Sequence, residues 1–517
     1  MRGLCWFKVR MDILLIHPPV VKPSEPPAGL ARLSGALRAH GVKHLAIDAN
    51  IEGIMHLLGR PVPADDTWTR RASSHLGDNI ASLRSGRAFT GIDRYTRAVT
   101  EINRVLARQS SPAEDLVSLG NFTSPSRSPV RSSDLLEAAD RPEESIFYGY
   151  FTSRIAPLLE EHAPRVVGLS LNYLSQALTA FALAGFIRSL SSGVRIVLGG
   201  GLVTSWGRGI GTDNPFGGLV DELHAGPGEG RLLELAGRRC TGMSCLPDFG
   251  PFGSAYLSPR QVIPLAASDG CYWARCSFCP EKAEGSRYHA LEPKQAVEGI
   301  GLLEQSVHKP LVHVCDNAMS PAFLKAMAAR ESRTPWYGFA RVTPLLADPD
   351  FCVSLRRSGC VMLKLGIESG DQDVLDALGK GIRVEDSLRV LQSVKAAGIG
   401  TYVYLLFGTP AEDRSGAEKT FDFIAKNHGL IDFLNLSIFN LPRGSAEALA
   451  LQTYDFSEGD LSLYQGFVHP RGWDRKQVRR FLDRELKRHP AVAAIVRADP
   501  PSFTSNHAPF FLDKTLF

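Results

Sequence analysis

The sequence lacks a long apolar run. No stretch of its 517 residues reaches the roughly 18 apolar residues that a membrane helix needs, so we expect no membrane span. The opening residues, MRGLCWFKVRM, carry basic side chains but no apolar segment, so we expect no secretory signal. With 44% hydrophobic and 22% charged residues, the composition is typical of a soluble globular enzyme.

A strong net charge is also missing. The 58 basic and 54 acidic side chains leave +4, which is too weak to favour nucleic acid as a partner of the whole chain. Residues 474–490, DRKQVRRFLDRELKRHP, are locally basic, but acidic residues interrupt them and apolar ones recur at helical spacing. This pattern favours a solvated helix face over an RNA contact.

Cysteine is scarce. The chain has nine cysteines, an odd number at uneven spacings. This usage indicates a reducing compartment, with metal-binding or buried thiols in place of a disulfide framework. We therefore expect a cytoplasmic protein.

The length predicts two or three domains. After an N-terminal extension (1–10), residues 11–245 contain short apolar strands that alternate with helical patterns, which is typical of a Rossmann-like α/β domain with a parallel sheet. Residues 52–145 interrupt this pattern. They are polar and rich in Ser and Arg, with one clear helix candidate, so we interpret them as a surface insertion, with a substrate lid as the alternative.

A second series of strand-then-helix patterns fills residues 246–445. The predicted strands are 262–268, 311–317, 336–342, 361–369, 400–408 and 432–440. Six units are too few for a closed eight-stranded barrel, so we predict a partial (β/α)6 TIM-like barrel, with functional residues at the carboxyl ends of its strands. Residues 446–517 are expected to form a small helical C-terminal region.

The segment GCYWARCSFC, which follows the first barrel strand, contains Cys271, Cys276 and Cys279 in a C-x4-C-x2-C spacing. Disulfides are disfavoured by the compartment. Structural zinc needs four ligands, and His289 is the one candidate for a fourth. An iron–sulfur cluster on three thiolates is the remaining interpretation, and it would leave one iron open to bind a further ligand.

The cysteine loop, together with GIESGDQDVLDALGKG (366–381), resembles the radical S-adenosylmethionine superfamily. The usual spacing in that superfamily is C-x3-C-x2-C, so this chain has one extra residue in the first gap. The form found here is similar to that of members with an N-terminal cobalamin-binding-type domain. The resemblance covers residues 11 to about 445, apart from the insertion.

The resemblance implies that the three cysteines hold a 4Fe–4S cluster, whose open iron binds S-adenosylmethionine and whose reduction yields a 5′-deoxyadenosyl radical. It also implies cofactor contacts for six further residues, although each polar one could instead cap the helix that follows it. These residues are Phe278, Asp316, Asn317, Arg341, Glu368 and Ser369.

Cobalamin is the further cofactor that the resemblance implies. No D-x-H-x-x-G motif occurs in the chain, which predicts that no histidine serves as a lower ligand to cobalt, and a degenerate domain without cobalamin stays open. The candidate binding positions follow predicted strands. They are Ser170, Asn172, Gly199, Gly200, Gly201, Gly228 and Glu229.

The expected reaction is a cobalamin-dependent methylation of an unactivated carbon. The alternatives are a radical cyclisation, rearrangement or oxidation without cobalamin, or a non-catalytic iron–sulfur redox sensor or scaffold. A transfer-RNA methylthiotransferase is disfavoured, because such relatives carry a second N-terminal cysteine cluster and a C-terminal RNA-binding barrel. The expected partners are a small-molecule or peptide substrate and an electron donor such as flavodoxin or ferredoxin.

Overall fold

The computed structural model describes residues 11–63, 65–109, 114–210, 214–239, 245–253, 255–455, 459–499 and 507–512, with 208–210 described for the backbone alone. The expected N-terminal extension lies outside these residues. The chain divides into two compact units, the first made of residues 1–88, 96–258 and 458–463, and the second of 89–95, 259–457 and 464–517. Among the described helices, none has the length and apolar character to cross a membrane.

The first unit is built on a parallel sheet. The strands in this part of the chain are β1 (Ile13–His17), β2 (His44–Asp48), β3 (Leu116–Val117), β4 (Phe122–Thr123), β5 (Val166–Ser170), β6 (Arg195–Gly199) and β7 (Glu222–Leu223). Five of them pair in the order β2-β1-β5-β6-β7, all parallel, while β3 and β4 form a separate antiparallel pair. The strand order reverses between β1 and β5, and such a reversal opens a crevice at the carboxyl ends of the strands.

Helices cover this sheet and fill the insertion. The described helices up to residue 235 are α1 (Ala28–Ala39), α2 (Ala49–Leu58), α3 (Thr67–Ser74), α4 (Leu76–Arg84), α5 (Ile92–Ala107), α6 (Ser132–Asp140), α7 (Tyr148–Tyr150), α8 (Ala156–His162), α9 (Leu174–Leu190), α10 (Gly201–Ile210) and α11 (Glu229–Leu235). A π-helical turn, Phe151–Ile155, joins α7 to α8.

The insertion is more ordered than its composition indicated. One helix was evident in the sequence, whereas the structure has helices α2 to α6 in or at the edge of residues 52–145. Apolar side chains such as Leu83, Val99 and Ile102 are buried there. The polar composition does not reveal these helices, because a helix needs only one apolar side chain every three or four residues to bury one face.

The second unit is built on a parallel sheet of six strands. The strands of this part of the chain are β8 (Gln261–Leu265), β9 (Ser268–Asp269), β10 (His289–Ala290), β11 (Pro310–Val314), β12 (Trp336–Arg341), β13 (Cys360–Glu368), β14 (Gly400–Phe407), β15 (Phe433–Ile438), β16 (Leu441–Pro442), β17 (Thr453–Tyr454) and β18 (Tyr464–Phe467). The six long ones pair in the order β15-β14-β13-β12-β11-β8, all parallel, as a half-barrel. The predicted α/β class, with a Rossmann-like sheet and a partial barrel of six units, is confirmed.

Helices alternate with these strands. They are α12 (Pro280–Glu284), α13 (Pro293–Gln305), α14 (Pro321–Ala328), α15 (Pro349–Arg357), α16 (Gln372–Ala377), α17 (Val384–Ala396), α18 (Arg414–Asn427), α19 (Ala446–Ala450), α20 (Arg475–Arg484) and α21 (Pro490–Ala498). The C-terminal region contains α20 and α21 but also the short antiparallel strand pairs β16–β18 and β17–β18. Strands of two to four residues are too short to leave an alternation pattern in the sequence, which is why the sequence predicts a purely helical region there.

The half-barrel has an aromatic core toward its amino end. Tyr337, Met362, Tyr402 and Phe433 pack with residues of the 508–512 segment in one buried cluster. The ring of Phe511 lies where a side chain at Gly400, the first residue of β14, would otherwise project. Because this end is filled with side chains, the polar residues at the carboxyl ends of the strands form the candidate site.

Candidate active site

The three cysteines lie on a loop that follows the first barrel strand. The loop starts at Gly270, whose φ of +72° suits glycine and whose Cβ, if present, would lie 2.7 Å from the carbonyl oxygen of Arg287. Cys276 is buried, while Cys271 and Cys279 are partly exposed. Burial raises the pKa of the Cys279 thiol. The loop thus presents one enclosed and two more accessible sulfur atoms.

Residues 378–381, at the end of the GIES segment, hold this loop in place. The backbone N–H of Ser277 donates to the carbonyl oxygen of Leu378 at 2.9 Å. Trp273 Nε1 donates to the carbonyl oxygen of Gly379, also at 2.9 Å. Gly381 has a φ of +67° and lies against the Trp273 ring, where a methyl group would overlap the ring. The two sequence motifs, about a hundred residues apart, therefore form one structural element.

Arg341, the last residue of β12, joins the loop to the same segment. Its Nη1 lies 3.7 Å from Cys276 Sγ, and its Nη2 donates to the carbonyl oxygen of Lys380. The guanidinium also stacks on Trp273, 4.4 Å from the ring centroid. Arg341 is only 6% exposed. The guanidinium thus lies beside the most buried of the three thiols.

Glu368, the last residue of β13, forms a buried ion pair with Lys380. Lys380 Nζ and Glu368 Oε1 are 2.7 Å apart, and both side chains are buried. Glu368 has a φ of +67°, at a register shift in the pairing of β13 with β14. A left-handed conformation is uncommon for a residue other than glycine and often marks a functional position. Lys380 Nζ also lies 5.6 Å from the ring centroid of Phe278, so it connects Glu368 with the cysteine loop.

Ser369 is fully buried, and its hydroxyl is engaged within the protein. It shares a hydrogen bond with Thr420 Oγ1 at 3.0 Å and accepts one from the backbone N–H of Asp371 at 3.1 Å. The observed contacts are those of a residue that shapes the turn between β13 and α16. The cofactor contact of Ser369 stays a prediction.

Asp316 holds the segment that leads into the cysteine loop. Its carboxylate accepts from the backbone N–H of Ala267 at 2.7 Å and from Ser268 Oγ at 2.6 Å, and burial raises its pKa. These partners connect β8 with the cysteine loop, so Asp316 positions the loop. Asn317, the next residue, is exposed. The structure thus separates two neighbours that the sequence grouped together.

The donor set fits an iron–sulfur cluster better than a single ion. Within the described residues, no three His, Cys, Asp or Glu side chains are close enough together to bind one metal ion. His289, the fourth ligand in the zinc interpretation, is exposed on β10. In a 4Fe–4S cluster each thiolate ligates a different iron, so the sulfur atoms lie farther apart than around one ion. Cys271, Cys276 and Cys279 are free thiols on one loop, and thiols are the ligands that such a cluster uses.

A cavity opens in the first unit at the strand reversal. Its empty space, counted together with the solvent at its open mouth, is about 760 Å³. Six of the seven predicted cobalamin-binding residues line it, and Gly201 does not. The six are Ser170, Asn172, Gly199, Gly200, Gly228 and Glu229.

The geometry of this cavity depends on small residues and one amide. Gly200 has a φ of +106°, and a Cβ there would overlap the carbonyl oxygen of Leu171. Asn172 Oδ1 accepts from the backbone N–H of Gly201 at 3.0 Å, and Asn172 Nδ2 donates to Ser170 Oγ at 3.2 Å. Asn172 therefore fixes the turn from β6 into α10. The result is a cradle of exposed backbone that a ligand can approach closely.

Arg32 and His224 are among the polar residues of the cavity that sequence reasoning missed. Arg32, on α1, forms an ion pair with Glu229. His224, just after β7, has its Nε2 2.9 Å from the carbonyl oxygen of Pro227. Neither belongs to a motif. The sequence signal that could have found them is their position after β1 and β7, at the carboxyl ends of strands. That position indicates a place in the cavity only once the order of the strands in the sheet is known.

The fold and the cysteine loop define a half-barrel protein with three thiols at the carboxyl ends of its strands. The comparison with protein families identifies the same part of the chain. Residues 266–424 match the sequence profile of the radical SAM superfamily. This segment contains the three cysteines, Arg341 and the Glu368–Lys380 pair. Residues 266–424 therefore belong to the radical S-adenosylmethionine superfamily.

Relatives known by sequence match parts of the chain. It is 26% identical over 174 residues to the anaerobic magnesium-protoporphyrin IX monomethyl ester cyclase of Rubrivivax gelatinosus, which is 32% of this chain and 30% of the cyclase. It is 22% identical over 313 residues to an uncharacterized methyltransferase of Pyrococcus horikoshii, which is 53% of this chain and 67% of that protein. The chain thus spans less than a third of the length of the cyclase.

A solved structure matches nearly the whole chain. The radical S-adenosylmethionine methyltransferase TsrM from Kitasatospora setae, with tryptophan and an S-adenosylmethionine analogue bound, has a TM-score of 0.51 and 17% identity, over 95% of this chain and 89% of TsrM. A second TsrM structure contains cobalamin and a [4Fe-4S] cluster. At this identity the likeness shows a shared fold. The chain thus resembles superfamily members that carry an N-terminal cobalamin-binding-type domain.

Proposed function

We propose that the protein is a radical S-adenosylmethionine enzyme that methylates an unactivated carbon with the help of cobalamin. The observation that carries this proposal is the attachment of the cysteine loop to residues 378–381, with Arg341 beside Cys276 Sγ. A non-catalytic cluster needs only its ligands. Here the loop also contacts residues 378–381, next to the buried Glu368–Lys380 pair at the end of β13. A site that must orient a second molecule requires such additional polar groups.

In this proposal Cys271, Cys276 and Cys279 hold a 4Fe–4S cluster, which supplies the electron that cleaves S-adenosylmethionine to a 5′-deoxyadenosyl radical. Arg341 keeps a positive charge beside Cys276. Glu368 accepts hydrogen bonds from the ribose or the amino group, and Lys380 holds its carboxylate in place.

The remaining predicted residues complete the cofactor site. Phe278, next to Lys380 Nζ, offers an aromatic face to the adenine. Asp316 fixes the start of the loop, Asn317 lies exposed beside it, and Ser369 shapes the turn after Glu368.

The first unit is proposed to bind cobalamin, which would carry the methyl group. The residues proposed to hold it line the cavity in this unit. They are Ser170, Asn172, Gly199, Gly200, Gly228 and Glu229. Gly201 contributes through its backbone N–H, which keeps Asn172 oriented. The proposed domains are 11–245 for cobalamin, 246–445 for the radical chemistry and 446–517 at the C-terminus.

The test is anaerobic reconstitution with iron, sulfide and cobalamin, followed by product analysis after addition of S-adenosylmethionine and a reductant. Retained cobalamin and the formation of both 5′-deoxyadenosine and S-adenosylhomocysteine would support the proposal. Formation of 5′-deoxyadenosine without retained cobalamin would exclude the methylation. An undiminished cluster in the Cys271→Ala/Cys276→Ala/Cys279→Ala variant would exclude the whole assignment.

A radical cyclisation without cobalamin is the second candidate. The sequence similarity to a cyclase supports the cyclisation itself and does not bear on cobalamin. A rearrangement or an oxidation belongs to the same group of radical reactions. In these cases the reconstituted protein forms 5′-deoxyadenosine but no S-adenosylhomocysteine. A redox sensor or scaffold would form neither product.

A further inference from the structure

Helix α20 presents a basic face that the proposed chemistry does not use. Asp474 and Gln477 form a capping box at its start, and Val478, Phe481 and Leu482 bury its apolar side. Five basic side chains point to solvent on and just after the helix. They are Lys476, Arg479, Arg480, Arg484 and Arg488. In the part of the chain that the structure describes, none of these five forms an ion pair.

The acidic residues of the same segment do not cancel this charge. Asp483 pairs with Lys487 at 2.7 Å, and Glu485 pairs with Arg414 at 2.6 Å. The carboxylate of Asp474 accepts from the backbone N–H of Gln477 at 2.8 Å. Each acid therefore already has a partner outside the five. The surface that these five side chains form, called here the α20 patch, is left with a positive potential.

The α20 patch belongs to a helix that is connected to the cysteine loop. Arg475, the first residue of α20, donates from Nη1 to the carbonyl oxygen of Phe439 at 3.2 Å. Phe439 belongs to the buried apolar cluster against which Phe278 packs. Phe278 lies directly between Ser277 and Cys279 in the chain. The apolar cluster that contains Phe439 thus links the Arg475 side chain to the residue that precedes Cys279.

A second contact fixes the same end of the helix. Trp473 Nε1 donates to Glu412 Oε2 at 3.1 Å, and that carboxylate accepts from the backbone N–H of Gly408, which directly follows β14. The start of α20 is therefore fixed at the carboxyl ends of β14 and β15. This is the end of the half-barrel at which Arg341 and Glu368 also terminate their strands.

We propose that the α20 patch is the docking surface for an acidic, low-potential electron-transfer protein of the flavodoxin or ferredoxin class. The inference rests on the proposed function, because a radical S-adenosylmethionine enzyme needs one electron from outside for each cleavage. In the step served by docking, the reduced donor loses one electron to the oxidised cluster. No proton or atom is transferred, and the donor leaves oxidised by one electron.

Electrostatics explains why a surface of this kind suits this partner. Electron-transfer complexes are small and short-lived, so long-range attraction contributes more to them than buried apolar area does. Unpaired arginines and lysines accelerate encounter with an acidic protein by roughly 10- to 1,000-fold at low salt. The helix offers exposed basic side chains, which match a transient partner.

The experiment compares two charge reversals with equal change in net charge. One variant is Arg479→Glu/Arg480→Glu. The control is Lys325→Glu/Arg357→Glu, on exposed positions of α14 and α15 that form no ion pair within the described residues. Binding of oxidised flavodoxin is measured by calorimetry at low and at 0.5 M salt, with the protein before and after cluster reconstitution. The rate of 5′-deoxyadenosine formation is measured with reduced flavodoxin and, separately, with dithionite.

We expect the α20 variant to bind flavodoxin at least about tenfold more weakly at low salt, with the control within twofold of the wild type. High salt should reduce wild-type binding toward that of the variant. With dithionite, which needs no docking surface, both variants should form product at the wild-type rate, whereas with flavodoxin only the α20 variant should be slow.

Equal flavodoxin binding by the two variants would overturn the inference, as would tighter binding of a single-stranded RNA oligonucleotide than of flavodoxin at the α20 patch. The two proposals fail in different ways. If the wild type forms no 5′-deoxyadenosine with dithionite, the proposed function is wrong. If dithionite works and the flavodoxin measurements do not distinguish the variants, only the docking surface is wrong.

Discussion

Gly381 lies directly against the Trp273 ring of the cysteine loop, so replacing it tests how that loop is held. Its φ of +67° is unfavourable for alanine, and a methyl group there would overlap the Trp273 ring. Trp273 cannot move aside easily, because it donates to the carbonyl oxygen of Gly379 and stacks under Arg341. We therefore expect Gly381→Ala to displace the loop.

The magnitude follows from two contributions. The left-handed conformation costs a non-glycine residue about 1–2 kcal/mol. Inserting a methyl group into packed surroundings costs about 1–3 kcal/mol more. Gly398 provides a matched control, since its φ is +73° and no atom lies within 4 Å of a Cβ built there. We expect about 1–2 kcal/mol for Gly398→Ala and about 2–5 kcal/mol for Gly381→Ala.

The assay has two readouts. Urea unfolding gives the free energy of unfolding of each variant, and iron content after anaerobic reconstitution reports whether the loop can still bind a cluster. We expect Gly381→Ala to retain much less iron than Gly398→Ala. If the two variants lose equal stability and retain equal iron, the packing of Trp273 on Gly381 does not position the loop.

Three further predictions concern charge, pH and the first unit. Lys380→Met should cost about 3–5 kcal/mol in urea unfolding, because it leaves the Glu368 carboxylate buried without its partner, and the double variant with Glu368→Gln should recover most of that loss. A double variant as unstable as the single one would contradict this. Burial raises the pKa of Glu412 to about 7, so its contribution to stability should be complete below pH 4.5 and lost as the pH rises through 7. The free energy of unfolding of the wild type, measured with urea, should fall by on the order of 3 kcal/mol over this pH range, and that of Glu412→Gln should not. An identical pH profile for both proteins would count against a raised pKa of Glu412. Finally, Gly200→Ala should lower the amount of cobalamin that the protein retains on purification, measured by absorbance. Gly218→Ala is the control, because Gly218 also has a positive φ but a Cβ there would lie in open space, and it should retain as much as the wild type. Equal retention by the two variants would argue against the cavity as the binding site.

Much of the architecture could be predicted from local patterns. Short apolar runs such as Ile13–His17 and Cys360–Glu368 are buried along their whole length, as strands covered on both faces must be. The alternation of such runs with helical patterns indicated the parallel sheets. The insertion was the weak point, because its apolar residues are diluted by polar ones and become recognisable only when a helix brings them onto one face.

The transition between the two units was harder to place. The segment up to Ser258 still belongs to the first unit, since the hydroxyl of Tyr256 donates to Asp48 Oδ2 at 2.8 Å. No local pattern in the Pro- and Gly-rich stretch around residue 250 reveals a hydrogen bond to a residue about two hundred positions earlier.

The sequence by itself determined the α/β class, the order of the two sheets and the three cysteines, because apolar periodicity and motif spacing are local properties of the chain. Only the tertiary structure decided which polar residues meet. It brought Arg341 to Cys276 and Lys380 to Glu368, and it turned Ser369 and Asp316 toward partners within the protein. Such pairings depend on strand order and register, which bring together side chains that are far apart along the chain. The spacing of residues in the sequence does not reveal which of them become neighbours in space.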